Sequence, residues 1–334
     1  MSENFIWHDA GRTVHFRDGG VAQAPQLLRE HGFAPFELLT TRRALAGAPE
    51  LAAAASSVHE VAAGGVPEVA AALLNSARSP RLVALGGGRV IDAAKAVASV
   101  SAASVAAIPT TMSGAEMTGI HRLPAGAEGK ASGLVRPSLV IAAYGPMTSQ
   151  PERALRFSSM NALAHGADSL YTPFANPVSR MIALRGVNLI SGSLDQVRAE
   201  RDRAALALGS IFCGYAIDSA MFAIHHVICQ TLVRVCGTPH AETNAAILPR
   251  AMAFMVPRAP HQLSSLAAAI GTNSAEIEPR ILGLGGNPPG LGDVGGDRSK
   301  LGQAVDAILM RPELAFTPAP PDRSELRQLV ESAW

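Results

Sequence analysis

Short apolar runs alternate with longer amphipathic stretches through the first 150 residues of the chain. Phe36 to Thr40, Arg81 to Leu85 and Ser104 to Ile108 have the length and apolar density of buried strands. Between them, the alanine- and leucine-rich stretches Val69 to Ala77 and Val90 to Val100 predict helices. Such alternation specifies an open parallel sheet with helices on its faces. Beyond Pro151 the texture changes, and helical patterns dominate over Ala154 to Leu170, Pro177 to Val197, Arg201 to Ser219 and Ala220 to Val233. Two domains are therefore expected, an α/β domain over 1–150 and a helical domain over 151–334, with the boundary near Gly145 to Pro151. The glycine- and proline-rich segment Gly283 to Gly296 reads as a surface loop, and a last helix is expected over Arg323 to Ala333.

Composition narrows the class. With 334 residues, 48% of them hydrophobic and 16% charged, the chain can bury a large core. A net charge of +1 argues against nucleic acid or an anionic membrane as a partner. Met1 to Asp9 shows neither the basic nor the apolar region of a signal peptide. No uncharged apolar run reaches the roughly 18 residues needed to span a bilayer. Cys213, Cys229 and Cys236, odd in number, suit reduced thiols in a cytoplasmic protein.

Two regions carry chemistry. In the first, the strand ending at Leu85 runs into Gly86-Gly87-Gly88-Arg89 and then into a helix bearing Asp92 and Lys95. Glycines permit a tight turn and close backbone approach, and the helix start offers free amides and partial positive charge, which suits a pyrophosphate. A plain tight turn is the alternative. The next strand end supplies Thr110, Thr111 and Ser113, at the same edge where open α/β sheets bind ligands. Thr40 and Arg42 follow an earlier strand; an arginine there pairs with an adenosine 2′-phosphate and favours NADPH over NADH.

In the second region, Asn161 and His165 share one helix face, as do His226 and Gln230, and His240 follows after Pro239. Histidines gathered from separate helices line a functional pocket, the alternative being hydrogen-bonded core residues. Three neutral histidines can hold zinc with a water as fourth ligand.

The chain resembles the iron-containing alcohol dehydrogenase family, with the dehydroquinate synthase-like fold, and within it the maleylacetate reductase branch. The resemblance rests on Gly86 to Lys95, Pro109 to Thr118, Met160 to His165 with Tyr171 and Asn176-Pro177, and Pro239 to Thr243, and runs from near Val14 to the C-terminus. It implies an N-terminal nucleotide-binding domain, a C-terminal helical domain, a cleft between them and a homodimer. It also implies NADH or NADPH as cofactor and reduction of the activated double bond of a small carboxylic acid. In metal-dependent members an aspartate and three histidines hold iron or zinc; these positions fall on Asn161, His165, His226 and His240. Asparagine at the first resembles the maleylacetate reductases and removes a charge that favours a divalent ion, so little zinc or iron is expected. Other departures are Gln230 where the family has a histidine, Val233-Arg234 where glycines are usual, Asn244 and Arg250 in place of histidines, Arg89 in place of a small hydroxyl residue, and no aspartate around Ala142 to Gly145.

The expected activity is an NAD(P)H-dependent reductase of a small carbonyl or enone acid. His225, His226 and His240 would act as proton donors or electrophiles, beside Gln230 and Arg234, with Arg234, Arg250, Arg122 and Lys130 as candidate partners of a substrate carboxylate. Glutamine at 230 cannot titrate near neutrality, which keeps open a non-redox isomerisation, elimination or cyclisation on a decayed cofactor site, or a binding protein without catalysis.

Overall fold

The first unit is organised by a sheet of six parallel strands, β1 (Thr13–Arg17), β2 (Glu37–Thr40), β3 (Ser57–Glu60), β4 (Arg81–Gly86), β5 (Ser104–Pro109) and β6 (Leu139–Ala143), in the order β1-β6-β5-β4-β2-β3. The structure, a computed structural model, describes residues 11–334 except 128, 130 and 132, so Lys130 and Met1 to Asp9 lie outside the described residues. Its helices are α1 (Gly20–Glu30), α2 (Arg42–Leu45), α3 (Pro49–Ala54), α4 (Val66–Leu73), α5 (Gly88–Ser101) and α6 (Tyr144–Met147).

Central strands of a parallel sheet are covered on both faces, so they carry near-continuous apolar sequence. Leu82 to Gly86 and all of β6 are buried accordingly. Leu27, Leu28 and Leu51 of α1 and α3 pack on one face against Leu38, Val83 and Ile141. Val69 and Leu73 of α4 and Val90, Ile91 and Val97 of α5 pack on the other, against Leu39, Leu82 and Ala84. The chain moves outward from β2 to β3, then returns to the opposite side of β2 as β4 and continues to β5. The order therefore reverses between β2 and β4, and the carboxyl ends of those two strands flank the crevice where such sheets take ligands.

The edge strands β1 and β3 escaped sequence reading because each is short and half exposed, with Val58 pointing to solvent. Helix α4 begins before the expected Val69, with Pro67 in its first turn, where a missing N–H costs nothing, and it stops at Leu73.

The second unit, 151–334, is helical: α7 (Glu152–Asp168), α8 (Pro177–Asp195), α9 (Arg203–Ala220), α10 (Ile224–Cys236), α11 (His240–Met255), α12 (Pro260–Ala269), α13 (Ile277–Leu284), α14 (Leu301–Leu309) and α15 (Arg323–Glu331). Helices α8 and α9 approach backbone to backbone; a Cβ on Gly209 would lie 2.7 Å from the carbonyl oxygen of Gly186. The expectation of helices meeting directly at Ser219 and Ala220 is corrected by a break. Met221 adopts φ 62°, a left-handed conformation rare for a side-chain-bearing residue, and α10 leaves α9 at 97°. Among the described residues no single helix is long and apolar enough to cross a membrane.

Candidate functional site

At the sheet edge the turn Gly86-Gly87-Gly88 is enforced by space. A Cβ on Gly86 would sit 2.6 Å from Val90 Cγ2, one on Gly87 3.1 Å from the Thr111 hydroxyl, and one on Gly88 3.0 Å from Ser113 Cβ. The Gly turn, Thr111 and Ser113 thus come together, as their spacing suggested, and Thr110 N–H donates to Gly86 carbonyl at 2.9 Å. Gly87 caps α5 without a side chain, so no local group occupies the first-turn amides from that position. This uncapped helix start against a glycine cradle fits a pyrophosphate. Arg89 is exposed beside it.

Asp92 and Lys95 form a staple. Lys95 is fully buried, and its Nζ donates to Asp92 Oδ1 (2.8 Å), Ala115 O (3.1 Å) and Ile120 O (2.8 Å). It fastens α5 to the loop after β5, and its contacts are with protein rather than open space. Thr40 likewise donates to Leu85 O at 2.9 Å, holding β2 to β4. Glu116, quoted in the sequence only as part of a motif, is completely buried in this loop, near Lys95 and Ser113. Burial pushes its carboxyl up to about 7, against the pull of Lys95.

In the helical unit, α7 and α10 bring His165, His225 and His226 together. The His165 and His226 rings stack at 4.9 Å between centroids and 17° between planes. Asp168, which sequence reading missed, is the centre of this arrangement. Its Oδ2 accepts from His226 Nδ1 at 2.7 Å, from Ala223 N at 3.1 Å and from His226 N at 3.2 Å, while Tyr171 OH donates to Oδ1. The break at Met221 opens the start of α10, and the Asp168 carboxylate from α7 caps it, where an anion also suits the helix dipole. Burial acts to raise this carboxyl, but the hydrogen bond and charge of His226 outweigh it and hold it at about 2. Burial and the Asp168 charge push the Tyr171 phenol up, so it remains a donor. Asp168 lies one helical turn from His165, an i,i+3 signal available in the sequence.

The Asp168 carboxylate accepts a hydrogen bond from His226 Nδ1, while His226 Nε2 is buried without a hydrogen-bond partner among the described residues, as is His165 Nδ1. Burial and neighbouring His226 drive His165 well below the usual histidine range. His225 is pushed down to about 3, chiefly by burial, and contacts Asn244 Oδ1 at 3.0 Å through Nε2. Asn244 donates to His240 O at 2.7 Å, so the asparagine joins His225 to the start of α11. His240 itself is exposed, with Nε2 3.4 Å from Asn244 Nδ2.

The expected cation positions scatter. Gln230, one turn beyond His226, accepts from Arg311 Nη2 at 3.1 Å, and Arg311 also pairs with Glu313 at 2.8 Å. Arg311 was not anticipated, because it lies far along the chain after α14. Arg234 is exposed on the last turn of α10, and Arg122 is exposed in the first unit. Arg250 donates to Ser332 O and Ala246 O, both at 2.7 Å, tying α11 to the C-terminal segment.

At the positions expected to hold a metal ion, His165 Nδ1 and His226 Nε2 are buried without a hydrogen-bond partner among the described residues. Among the described residues no group of three or more His, Cys, Asp or Glu side chains is placed to hold one.

Comparison with known proteins places these features in context. Residues 12–143 match the model of iron-containing alcohol dehydrogenases, and 156–334 match that of the C-terminal domain of the same family. The chain is 31% identical to maleylacetate reductase 1 of Rhodococcus opacus over 278 residues, covering 80% of this chain and 77% of the relative. The crystal structure of maleylacetate reductase from Agrobacterium tumefaciens superposes with a TM-score of 0.86 at 27% identity, covering 99% of this chain and 98% of that one. An iron-containing alcohol dehydrogenase from Corynebacterium glutamicum gives a TM-score of 0.89 at 30% identity, with 100% and 97% covered.

Proposed function

From the premise that the chain belongs to the iron-containing alcohol dehydrogenase family, we propose that it reduces a small enone or oxo acid of the maleylacetate type with NADH or NADPH. It is an oxidoreductase enzyme, and its relatives give the non-redox alternative no support. The α/β unit holds the nucleotide: Gly86, Gly87 and Gly88 admit the pyrophosphate to the start of α5, while Thr111 and Ser113 flank it. When bound, the reduced nicotinamide supplies a hydride.

The observation that carries the acid–base assignment is the buried, unpartnered Nε2 of His226 behind the Asp168 bond. Reduction of a double bond adds one hydride and one proton. His226 in its imidazolium form gives the Nε2 proton and returns to the tautomer that Asp168 already holds. Asp168 stabilises the charged ring before transfer and keeps it oriented afterwards. His165, neutral through burial, covers one face of the His226 ring and excludes water from it. Arg311, oriented by Gln230, provides a guanidinium for a substrate carboxylate. The reading includes a homodimer, which light scattering tests, and a reducing cytoplasmic setting, in keeping with three buried free cysteines.

The test mixes the protein with maleylacetate and each reduced cofactor and follows loss of reduced-nicotinamide absorbance. Turnover is expected, and His226→Ala should lower kcat/KM by about 10²-fold or more. Cofactor binding without oxidation by any oxo or enone acid would refute the substrate class, and a fully active His226→Ala would refute the proton donor.

A further inference from the structure

We propose that Glu60 is the residue that selects the cofactor, opposing the adenosine 2′-phosphate and making NADH the preferred reductant. This inference rests on the nucleotide-binding role assigned to the glycine turn, and it names a residue that neither motif nor spacing singled out. It also reverses the preference that Arg42 alone suggests.

Thr40 pairs with Leu85 across β2 and β4, and with Glu60 across β2 and β3. Glu60 is thus the last residue of β3, at the same carboxyl edge as the glycine turn and two strand spacings from it, about 10 Å. That edge flanks the reversal of strand order between β2 and β4, so a dinucleotide with its pyrophosphate at α5 lays its adenosine ribose on the β2 and β3 side. The side chains available there differ sharply in freedom. Thr40 is tied to Leu85 O, and the Thr41 hydroxyl accepts from Ala44 N at 3.3 Å. Arg42, 87% exposed, donates through Nε to Glu60 Oε2 at 2.9 Å, and Glu60 is 53% exposed.

A carboxylate in this place does two things. It accepts hydrogen bonds from the hydroxyls of an unphosphorylated ribose, which a carboxylate can do with both oxygens. It also neutralises the one side-chain cation bonded to it, so a doubly charged 2′-phosphate approaching Arg42 meets a like charge on the same guanidinium. An exposed ion pair of this kind adds little to stability, so removing its acid leaves the fold intact while freeing the arginine.

The experiment compares NADH and NADPH in the whole protein, by Kd from titration and by kcat/KM with a common acid substrate. The wild type should favour NADH by about tenfold or more, and Glu60→Gln should move the ratio toward NADPH by a further factor of about ten, mostly through the Kd and KM of NADPH. Adding Arg42→Ala to Glu60→Gln should cancel that gain. A ratio unchanged by Glu60→Gln, or a wild type that prefers NADPH and loses the preference in Glu60→Gln, overturns the inference while leaving the reductase reading in place. Failure of the wild type to bind either dinucleotide removes the reductase reading itself.

Discussion

The glycine turn after β4 and the histidine cluster between α7 and α10 are built from different materials. At the turn, backbone does the work: register places strand ends side by side, and glycines remove the Cβ atoms that would collide with Val90, Thr111 and Ser113. In the cluster, a single side chain does it. Asp168 reaches from α7 to gather two backbone amides and one ring nitrogen of the segment opening α10. A backbone site tolerates many sequences and recognises a common feature, the pyrophosphate. A site hung on one carboxylate is specific and fragile.

That contrast predicts the largest effect at Asp168. Asp168→Asn should lower kcat/KM by about 10²-fold or more, because an amide cannot stabilise the imidazolium of His226. It should also cost about 3 kcal/mol of stability, measured by denaturant unfolding, since the buried charged partner of His226 is lost. The pH dependence has a definite sign. With the folded carboxyl at about 2 and its ordinary value at 3.8, the unfolded chain binds more protons between these values. The contribution is complete above pH 3.8 and disappears as pH falls through about 2, so the variant should lose that part of the acid limb.

The backbone site should respond differently. Gly86→Ala places a methyl 2.6 Å from Val90 Cγ2, and nucleotide affinity should fall by about tenfold in a titration. The Asp168–His226 pair should be untouched, visible as an unaltered low-field imidazole proton in the NMR spectrum. Loss of that signal in Gly86→Ala would break the distinction between the two regions.

The smallest expected effect sharpens the comparison inside the first unit. Glu116 is raised to about 7 from 4.5, so between these values the folded chain binds more protons than the unfolded one. Stability therefore falls as pH rises from about 4.5 through 7, and the loss is complete above it. Glu116→Gln should remove this slope and raise Tm by a few degrees at pH 8. An identical slope in the variant would show that the loop after β5 does not titrate in this way.

The same difference in materials explains what was legible from sequence. Apolar runs and glycines are local, so β2, β4, β5 and the turn at Gly86 could be read directly. The edge strands lacked such runs. Nothing local announces that Met221 turns left-handed, and without that break the opening of α10 offers no amides to Asp168. His165 and His226 were visible as residue types, but their partner was not, because the hydrogen bond joins positions 168 and 226. Lys95 and Asp92 were drawn toward the ligand by motif, whereas three carbonyl or carboxylate oxygens hold the lysine within the protein. Gln230 was read as standing in place of a histidine, but its bond to Arg311 shows only in the structure.

The cap on α10 has a consequence for descent. On the proposed mechanism one carboxylate serves both the folding of a helix and the proton transfer, so a lineage that abandoned the reaction would still be selected to keep Asp168 with the histidine it grips. Survival of that pair in a distant copy of this chain is therefore testimony to inheritance of shape. Evidence of a living reaction has to be sought at residues the fold can spare, and Glu60, exposed on an edge strand, is such a residue.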